Sequence, residues 1–454
     1  MKNLFNDFDN VSSKQWKQQL QFELKGKDYN ETLVWHSPED IKVKPFYHAD
    51  ENIENAAINT KCGDFKICQN IFVFDVQKST ERANDAINRG ATAIRFSIES
   101  PRIDIERLSL ETTLENISVY FNLGFIEKNF INKISEIATS NNLNVQLNLD
   151  PIGYFAKNGN WQKTDKSNVF ETLKNIESKN MGLAINMGLY QNGGANIVQE
   201  LAFAMAHVTE YFEKIPSIKN QIVFEVAIGG NYFFEIAKLR ALRVLFKTIA
   251  AAYNHNLECQ ILATPTKRNK TIYDYNTNLI RTTSECMAAV LGGADVIANL
   301  PYDSLYHKDN EFGDRIARNQ LLILQNEAYF DKVNNPSDGS YYIESLTNQL
   351  AEKALTLFKE IEAAGGFLKS LYDGKIQQKI AESRTKEQQL FDENKLIIVG
   401  TNKYLNADDR MKNDLEIYPF LKNGDTKTVI QPIFEQRLAE KNEQRRLIAE
   451  DKLL

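Results

Sequence analysis

Residues 224–243 read FEVAIGGNYFFEIAKLRALR. With Val223, the residues Phe224, Val226 and Ile228 form an apolar, branched run that suits a strand covered on both faces. The run breaks at Gly229-Gly230. Past Asn231, the residues Phe233, Phe234, Ala237, Leu242 and Leu245 fall along one side of a helix. Strand, glycine turn and amphipathic helix make one β/α unit. Seven more strand-like runs flank it: Cys68–Asp75, Thr92–Ile98, Ser118–Gly124, Asn144–Asp150, Gly182–Gly188, Cys259–Pro265 and Asp295–Pro301, with the unit's own strand at Ile222–Gly229. Segments with helical periodicity separate them, clearest at Val198, Leu201, Met205, Val208 and Phe212. Eight strand–helix units in unbroken alternation predict an α/β chain folded as a (β/α)8 TIM barrel rather than an open sheet.

Two flanks remain. Ser12-Ser13-Lys14-Gln15 has the form of a capping box opening a helix through Trp16, Leu20 and Phe22. An extended arm then runs from Val34-Trp35 to Pro45-Phe46-Tyr47. Behind the barrel, 315–329 and 350–364 read as long helices, the second with Ala354, Leu357, Phe358 and Ile361 on one face. The expected organisation is an amino-terminal arm over 1–60, the barrel and its following helices over 61–405, and a charged tail over 406–454. The end of that tail, Phe434 to Leu454, reads as a solvated helix.

At 454 residues and 43% hydrophobic, the chain can bury a large core. Lys plus Arg number 54 against 60 Asp plus Glu, a net charge of −6, which disfavours nucleic acid or an anionic membrane as partner. No run approaches the roughly 18 apolar residues of a membrane span, and the start MKNLFNDFDN lacks a signal-peptide core. Four cysteines, Cys62, Cys68, Cys259 and Cys286, are too few for a disulfide framework and lack metal-finger spacing, so a reducing cytoplasm is expected. The cluster His48, Asp50, Glu51 reads as a solvated loop.

A barrel of this kind puts reactive groups on the loops after its strands. Those loops offer Asp150-Pro151, Met187 to Asn192, Gly229 to Tyr232, Thr264 to Arg268, and Leu300 to Asp303. None carries a histidine or cysteine. Asp150 before proline reads as a turn former. The basic pair Lys267-Arg268 has the charge to hold a phosphate, although such a pair in an exposed loop is usually only solvated. The rim is poor in acid–base and nucleophilic groups.

Several blocks carry a resemblance in order along the chain: GGNYFFEIAKLRALR (229–243), NLIRTTSECMAAVLGGADVI (278–297), DRIARNQLLIL (314–324), NPSDGSYYIESLT (335–347), IEAAGG (361–366) and VGTNKY (399–404). Together they resemble the adenosylcobalamin-dependent acyl-CoA mutases, methylmalonyl-CoA mutase above all. That family is known for a barrel that threads acyl-CoA down its axis under a cobalamin domain bearing the motif DxHxxG. No histidine here has that context, and the 50 residues after Tyr404 fall short of the roughly 100 such a domain needs. The expectation is that this chain has no cobalamin-binding domain and binds no cofactor alone.

Catalytic members read like GYHMQEAGA after the fifth strand, where a histidine meets the thioester carbonyl. Here Met187 to Ala195 is MGLYQNGGA, so Leu189 takes the histidine position; a one-residue shift puts Tyr190 there. Near the first strand, RPWTIRQYAGF becomes GDFKICQNIFV (63–73), which keeps Gln69. Both arginine positions are neutral (Gly63, Cys68), and the tyrosine position is Asn70. Glu344 matches a family glutamate that faces the adenosyl group. The resemblance therefore implies no catalytic and no metal-binding residue in this chain, with Glu344 the one retained cofactor-side position. It implies the small subunit of a heterodimeric isomerase interconverting methylmalonyl-CoA and succinyl-CoA. The large catalytic subunit would bind adenosylcobalamin, and the 1–60 arm would supply subunit contact. The alternative is a substrate-binding barrel that works with a separate cobalamin-binding chain.

Overall fold

A computed structural model describes residues 9–51, 53, 58, 60, 62–162, 166–174, 181–215, 218, 221–421 and 427–451. Eight parallel strands close into a barrel. They are β1 (Lys66–Phe72), β2 (Ala93–Ile98), β3 (Ser118–Leu123), β4 (Asn144–Leu149), β5 (Met181–Asn186), β6 (Ile222–Ile228), β7 (Cys259–Pro265) and β8 (Val296–Ile297). β8 closes the ring by pairing with both β7 and β1. The expected (β/α)8 barrel is the observed fold.

β6 shows how the layers are built. Phe224, Val226 and Ile228 point outward into the main core, while Val223 joins the cluster inside the bore. Alternation along a strand forces this division. The helix that follows, Tyr232–Ala252, is buried almost all round because Ile197–Lys214 and Tyr341–Ala363 pack against it. A helix so enclosed would be apolar throughout, yet it buries Glu235, Lys238 and Arg240. Lys238 Nζ lies 3.0 Å from Glu200 and 2.6 Å from Glu235, and donates to the Ala227 carbonyl at 2.7 Å. Its charge is therefore fully engaged, as burial requires.

Some boundaries differ from the expected ones. β1 ends at Phe72, because Asp75 caps the next helix by accepting from the Lys78 amide at 2.8 Å. β5 stops at Asn186, and the expected rim loop is a short helix, Met187–Gly193, capped when Asn186 accepts from the Leu189 amide. β8 is two residues long, although the Ala298 amide still reaches Ala263. Phe233, expected on the buried side, is 49% exposed and packs at a tilt on Tyr342.

The capping box at Ser12 and Gln15 forms as expected and opens Ser13–Glu23. That helix buries no side chain; Trp16 meets Phe46, and Phe22 stands in solvent. A short hairpin, Trp35–His36 with Lys42–Val43, carries the arm onto the barrel, where Trp35 contacts Phe234. The carboxy-terminal part, expected as a solvated helix, is instead docked. Residues 427–438 form a strap, and Glu440–Asp451 follows as a helix with Glu443 and Glu450 buried. Glu450 accepts from the Tyr273 hydroxyl, and Glu443 accepts from the Ile272 amide. The charges of the tail are thus contact groups, which charge density alone does not reveal. Residues 452–454 and the Cys62 side chain lie outside the described residues.

Candidate functional site

In a barrel of this type, chemistry belongs to the bore and to the mouth at the strands' carboxyl ends. The lower bore is apolar: Cys68, Ala93, Tyr120, Ala184, Val223, Leu262 and Val296 fill it. Burial pushes the Cys68 thiol up to about 12, so it is protonated and inert at neutral pH. Towards the mouth, a polar brace crosses the bore. Arg95 of β2 donates from Nε to Asn70 of β1 at 2.8 Å and places Nη1 3.6 Å from Glu225 of β6, on the far wall. Asn122 and Asn148 donate to the same Glu225 oxygen at 2.7 and 3.3 Å. Arg95 and Glu225 are 14% and 15% exposed, so the pair faces a narrow, partly wetted space rather than bulk water.

The mouth above is roofed in part by the strap. Ile433 donates its amide to Ala156, Gln436 to Asn192 and Leu438 to Arg268, crossing the segments after β4, β5 and β7. Gly159 makes this approach possible. Its φ is +72°, and a Cβ there would meet the Ile430 carbonyl at 2.7 Å. A cleft of about 380 Å³ remains between strap and rim, lined by Lys157, Asn192, Lys267, Arg268, Phe420 and Glu435, among others.

Asp150 does more than form a turn. It caps Pro151–Asn158 by accepting from the Gly153 amide, and it also accepts from the Tyr211 hydroxyl at 2.8 Å and the Asn186 amide at 2.9 Å. His207 Nε2 stands 3.0 Å away, and its Nδ1 meets the Tyr190 hydroxyl at 2.8 Å. Burial alone would raise the Asp150 carboxyl, but His207 and the two backbone donors hold it below the usual carboxylate range. An Asp–His–Tyr chain resembles catalytic machinery. Here His207, Tyr190 and Tyr211 are sealed from solvent, so the cluster locks the rim helix to β4.

The positions singled out in the sequence are dispersed. Leu189 is buried in the apolar core beside the rim helix, with 1% exposure. Asn70 lies in the bore, bonded to Arg95. Gln69 accepts from Arg318 at 3.0 Å. Glu344 has no exposed surface and takes Arg240 Nη2 at 2.6 Å and the Gly339 amide at 3.1 Å. Arg95, Glu225, Asn122 and Asn148 went unnoticed in the sequence. Their signal was the alternation itself: in β2 and β6 a charge interrupts the apolar run at an inward position. Among the described residues, no group of His, Cys, Asp and Glu could hold a metal ion, and no helix is long and apolar enough to cross a membrane.

Known proteins resemble this chain throughout. A family model described as methylmalonyl-CoA mutase matches residues 130–446. The chain is 32% identical to the methylmalonyl-CoA mutase small subunit of Porphyromonas gingivalis, over 89% of this chain and 71% of that one. It is 28% identical to the methylmalonyl-CoA mutase of Rhizobium meliloti, over 85% of this chain and 62% of that enzyme, so it spans less than two thirds of the rhizobial protein. The methylmalonyl-CoA mutase large subunit of Porphyromonas gingivalis is 32% identical over 52% of this chain and 35% of its own length. With an eight-stranded barrel in place and matched blocks running through it, the chain belongs to the methylmalonyl-CoA mutase family.

Proposed function

We propose that this chain is the non-catalytic small subunit of a heterodimeric methylmalonyl-CoA mutase, supporting a large subunit that binds adenosylcobalamin and performs the rearrangement. The observation that carries the reading is the closed bore. A thioester threaded along the axis would have to displace the Arg95–Glu225 brace and the three asparagines bound to it. Below the brace it would meet Tyr120, held by Gln260 at 2.9 Å. Radical rearrangement depends on a shielded, pre-positioned substrate, and a bore braced across its width would have to be reorganised to provide one.

The replaced positions support the same reading. Leu189 has no hydrogen bond to offer a thioester carbonyl, and Asn70 is engaged by Arg95. Gly63 and Cys68 carry no charge for coenzyme A phosphates. The mouth does not fit a corrin, because the strap crosses it and His207 lies sealed behind the rim helix. No catalytic step is assigned to this chain. Glu344 acts as the internal counter-ion of Arg240 rather than as a contact to an adenosyl group. The relative named as a small subunit comes from an organism that also has a related large subunit, which supports a large homologue as partner. The arm over 1–60, with Trp16 and Phe22 exposed, is the proposed contact. The free thiols Cys68, Cys259 and Cys286 suit a cytoplasmic location.

Co-expression with the large homologue tests this. The expected outcome is a one-to-one complex whose turnover survives in variants of this chain's bore, with no saturable acyl-CoA binding by this chain alone. Tight binding of methylmalonyl-CoA or succinyl-CoA by the isolated chain would favour a substrate-binding barrel served by a separate cobalamin protein, and would sink the proposal.

A further inference from the structure

The cleft at the barrel mouth has features that neither the scaffold nor the proposed subunit role accounts for. It lies between the rim segments after β4, β5, β7 and β8 and the strap that crosses them. In a chain with a net charge of −6, the side chains around it include Lys157, Lys267, Arg268 and Arg437 against Glu435 and Glu440. The two arginines are neutralised from behind. Arg268 binds Glu387 at 2.5 Å, and Arg437 binds Glu443 at 2.6 Å. Free positive charge in the cleft therefore belongs to the two lysines.

Glu435, on the strap, answers that charge. Its carboxylate lies 3.0 Å from Lys267 Nζ. Burial alone would raise the carboxyl, but Lys267 and then Lys157 hold it below the usual range, which puts it under the influence of both cations. Of the two carboxylates lining the cleft, Glu440 accepts from the Arg437 amide at 2.9 Å, and Glu435 is the one under the two ammonium groups. An independent observation points the same way. Arg268 and Arg437 are 5% and 4% exposed, and each keeps a buried N–H without a hydrogen-bond partner, Nη2 of the first and Nε of the second. The Arg437 Nε is 4.0 Å from Glu440, beyond hydrogen-bonding reach. Buried donors of this kind normally find partners. The apolar wall of the cleft includes Tyr418, Phe420 and Phe434, with the Arg437 guanidinium 5.8 Å from the centre of the Phe420 ring.

We propose that the mouth of this barrel is an anion site occupied by the chain's own Glu435, and that its external ligand is a small phosphomonoester bearing a flat ring. A phosphomonoester dianion matches two lysines better than one carboxylate does, and charge-assisted hydrogen bonds to it are about twice as strong as neutral ones. The ring lies against the aromatic wall. Binding displaces Glu435 and loosens the strap at the Gln436 and Leu438 amides, which hold it to Asn192 and Arg268. The site lies on the strap side of the mouth and does not depend on whether this chain is catalytic.

Calorimetry on the full chain tests the site with adenosine monophosphate, inorganic phosphate and adenosine as probes. The E435Q variant is expected to bind adenosine monophosphate about tenfold more tightly than the unaltered chain, since a competing charge is gone. Adenosine should not bind, and affinity should fall as salt rises. The double variant Lys157→Gln, Lys267→Gln should bind neither phosphate probe. Absence of saturable binding by E435Q, or equal binding by the double variant, overturns the proposal. Should E435Q fail to fold, hydrogen exchange on the unaltered chain decides. Faster exchange at Gln436 and Leu438 with saturating adenosine monophosphate supports the site, and unchanged exchange refutes it.

Discussion

The helical layer behind β6 and the bore in front of it both bury charge, but in different ways. Behind the strand, Lys238, Glu200 and Glu235 have 0–3% exposed side chains, and both carboxylates lie within 3.0 Å of the one ammonium. In front of it, Arg95 and Glu225 stand 3.6 Å apart, about 15% exposed, with amide oxygens of Asn122 and Asn148 left unpaired. The first cluster ties two helices, Tyr232–Ala252 and Ile197–Lys214, to the barrel strand through the Ala227 carbonyl. The second braces opposite walls of the bore. A scaffold tolerates little change where charges are sealed and much where they only occupy volume, and this contrast can be measured.

The largest effect is expected from Lys238→Met. Removing the cation leaves two carboxylates buried without a partner, a change that typically costs about 3–5 kcal/mol. Urea unfolding of the isolated chain reads it, and a cost near zero would mean the cluster is wetter than described. Leu189→His comes next. It places a polar ring at a position that is 1% exposed in apolar packing, so it should destabilise by about 2–3 kcal/mol. It should not create acyl-CoA binding in the same preparation.

A smaller effect is expected in the pH dependence of stability. Burial raises Glu200 from the ordinary 4.5 to about 8, against the pull of Lys238. The folded chain then holds a proton that the unfolded chain releases between those values. Stability therefore falls as pH rises from about 5 to about 8, and the slope for one group cannot exceed about 1.4 kcal/mol per pH unit. Glu200→Gln should flatten that part of the profile; an unchanged slope would show that another group controls it. The smallest effect belongs to the bore. Replacing Arg95 and Glu225 together by methionine should shift stability by no more than about 1 kcal/mol, because an apolar pair of similar volume can stand in for a buried ion pair. A loss as large as that of Lys238→Met would erase the distinction between brace and scaffold.

Strand periodicity and the glycine turn at 229–230 were enough to foresee eight β/α units, and helix signals such as Ser12 with Gln15 were read correctly because their partners lie three residues apart. Boundaries slipped where a capping side chain overrode an apolar run, as at Asp75 and Asn186. The Asp150–His207–Tyr190 cluster was missed because its members are dispersed along the chain and meet only when β4, the rim helix and Ile197–Lys214 pack together. The tail was misjudged for the opposite reason: its dense charge resembles a solvated helix, and only the docked geometry assigns Glu443 and Glu450 to backbone amides.

The order of residues alone determined the barrel and its membership of the family, because periodicity and local turn chemistry act over a few residues. Tertiary structure alone decided that Arg95 spans the bore to Glu225, that the strap roofs the mouth, and that Glu435 faces two lysines. Those contacts join segments from opposite walls or distant parts of the chain, and the distances that govern electrostatics and exclusion exist only once the ring has closed.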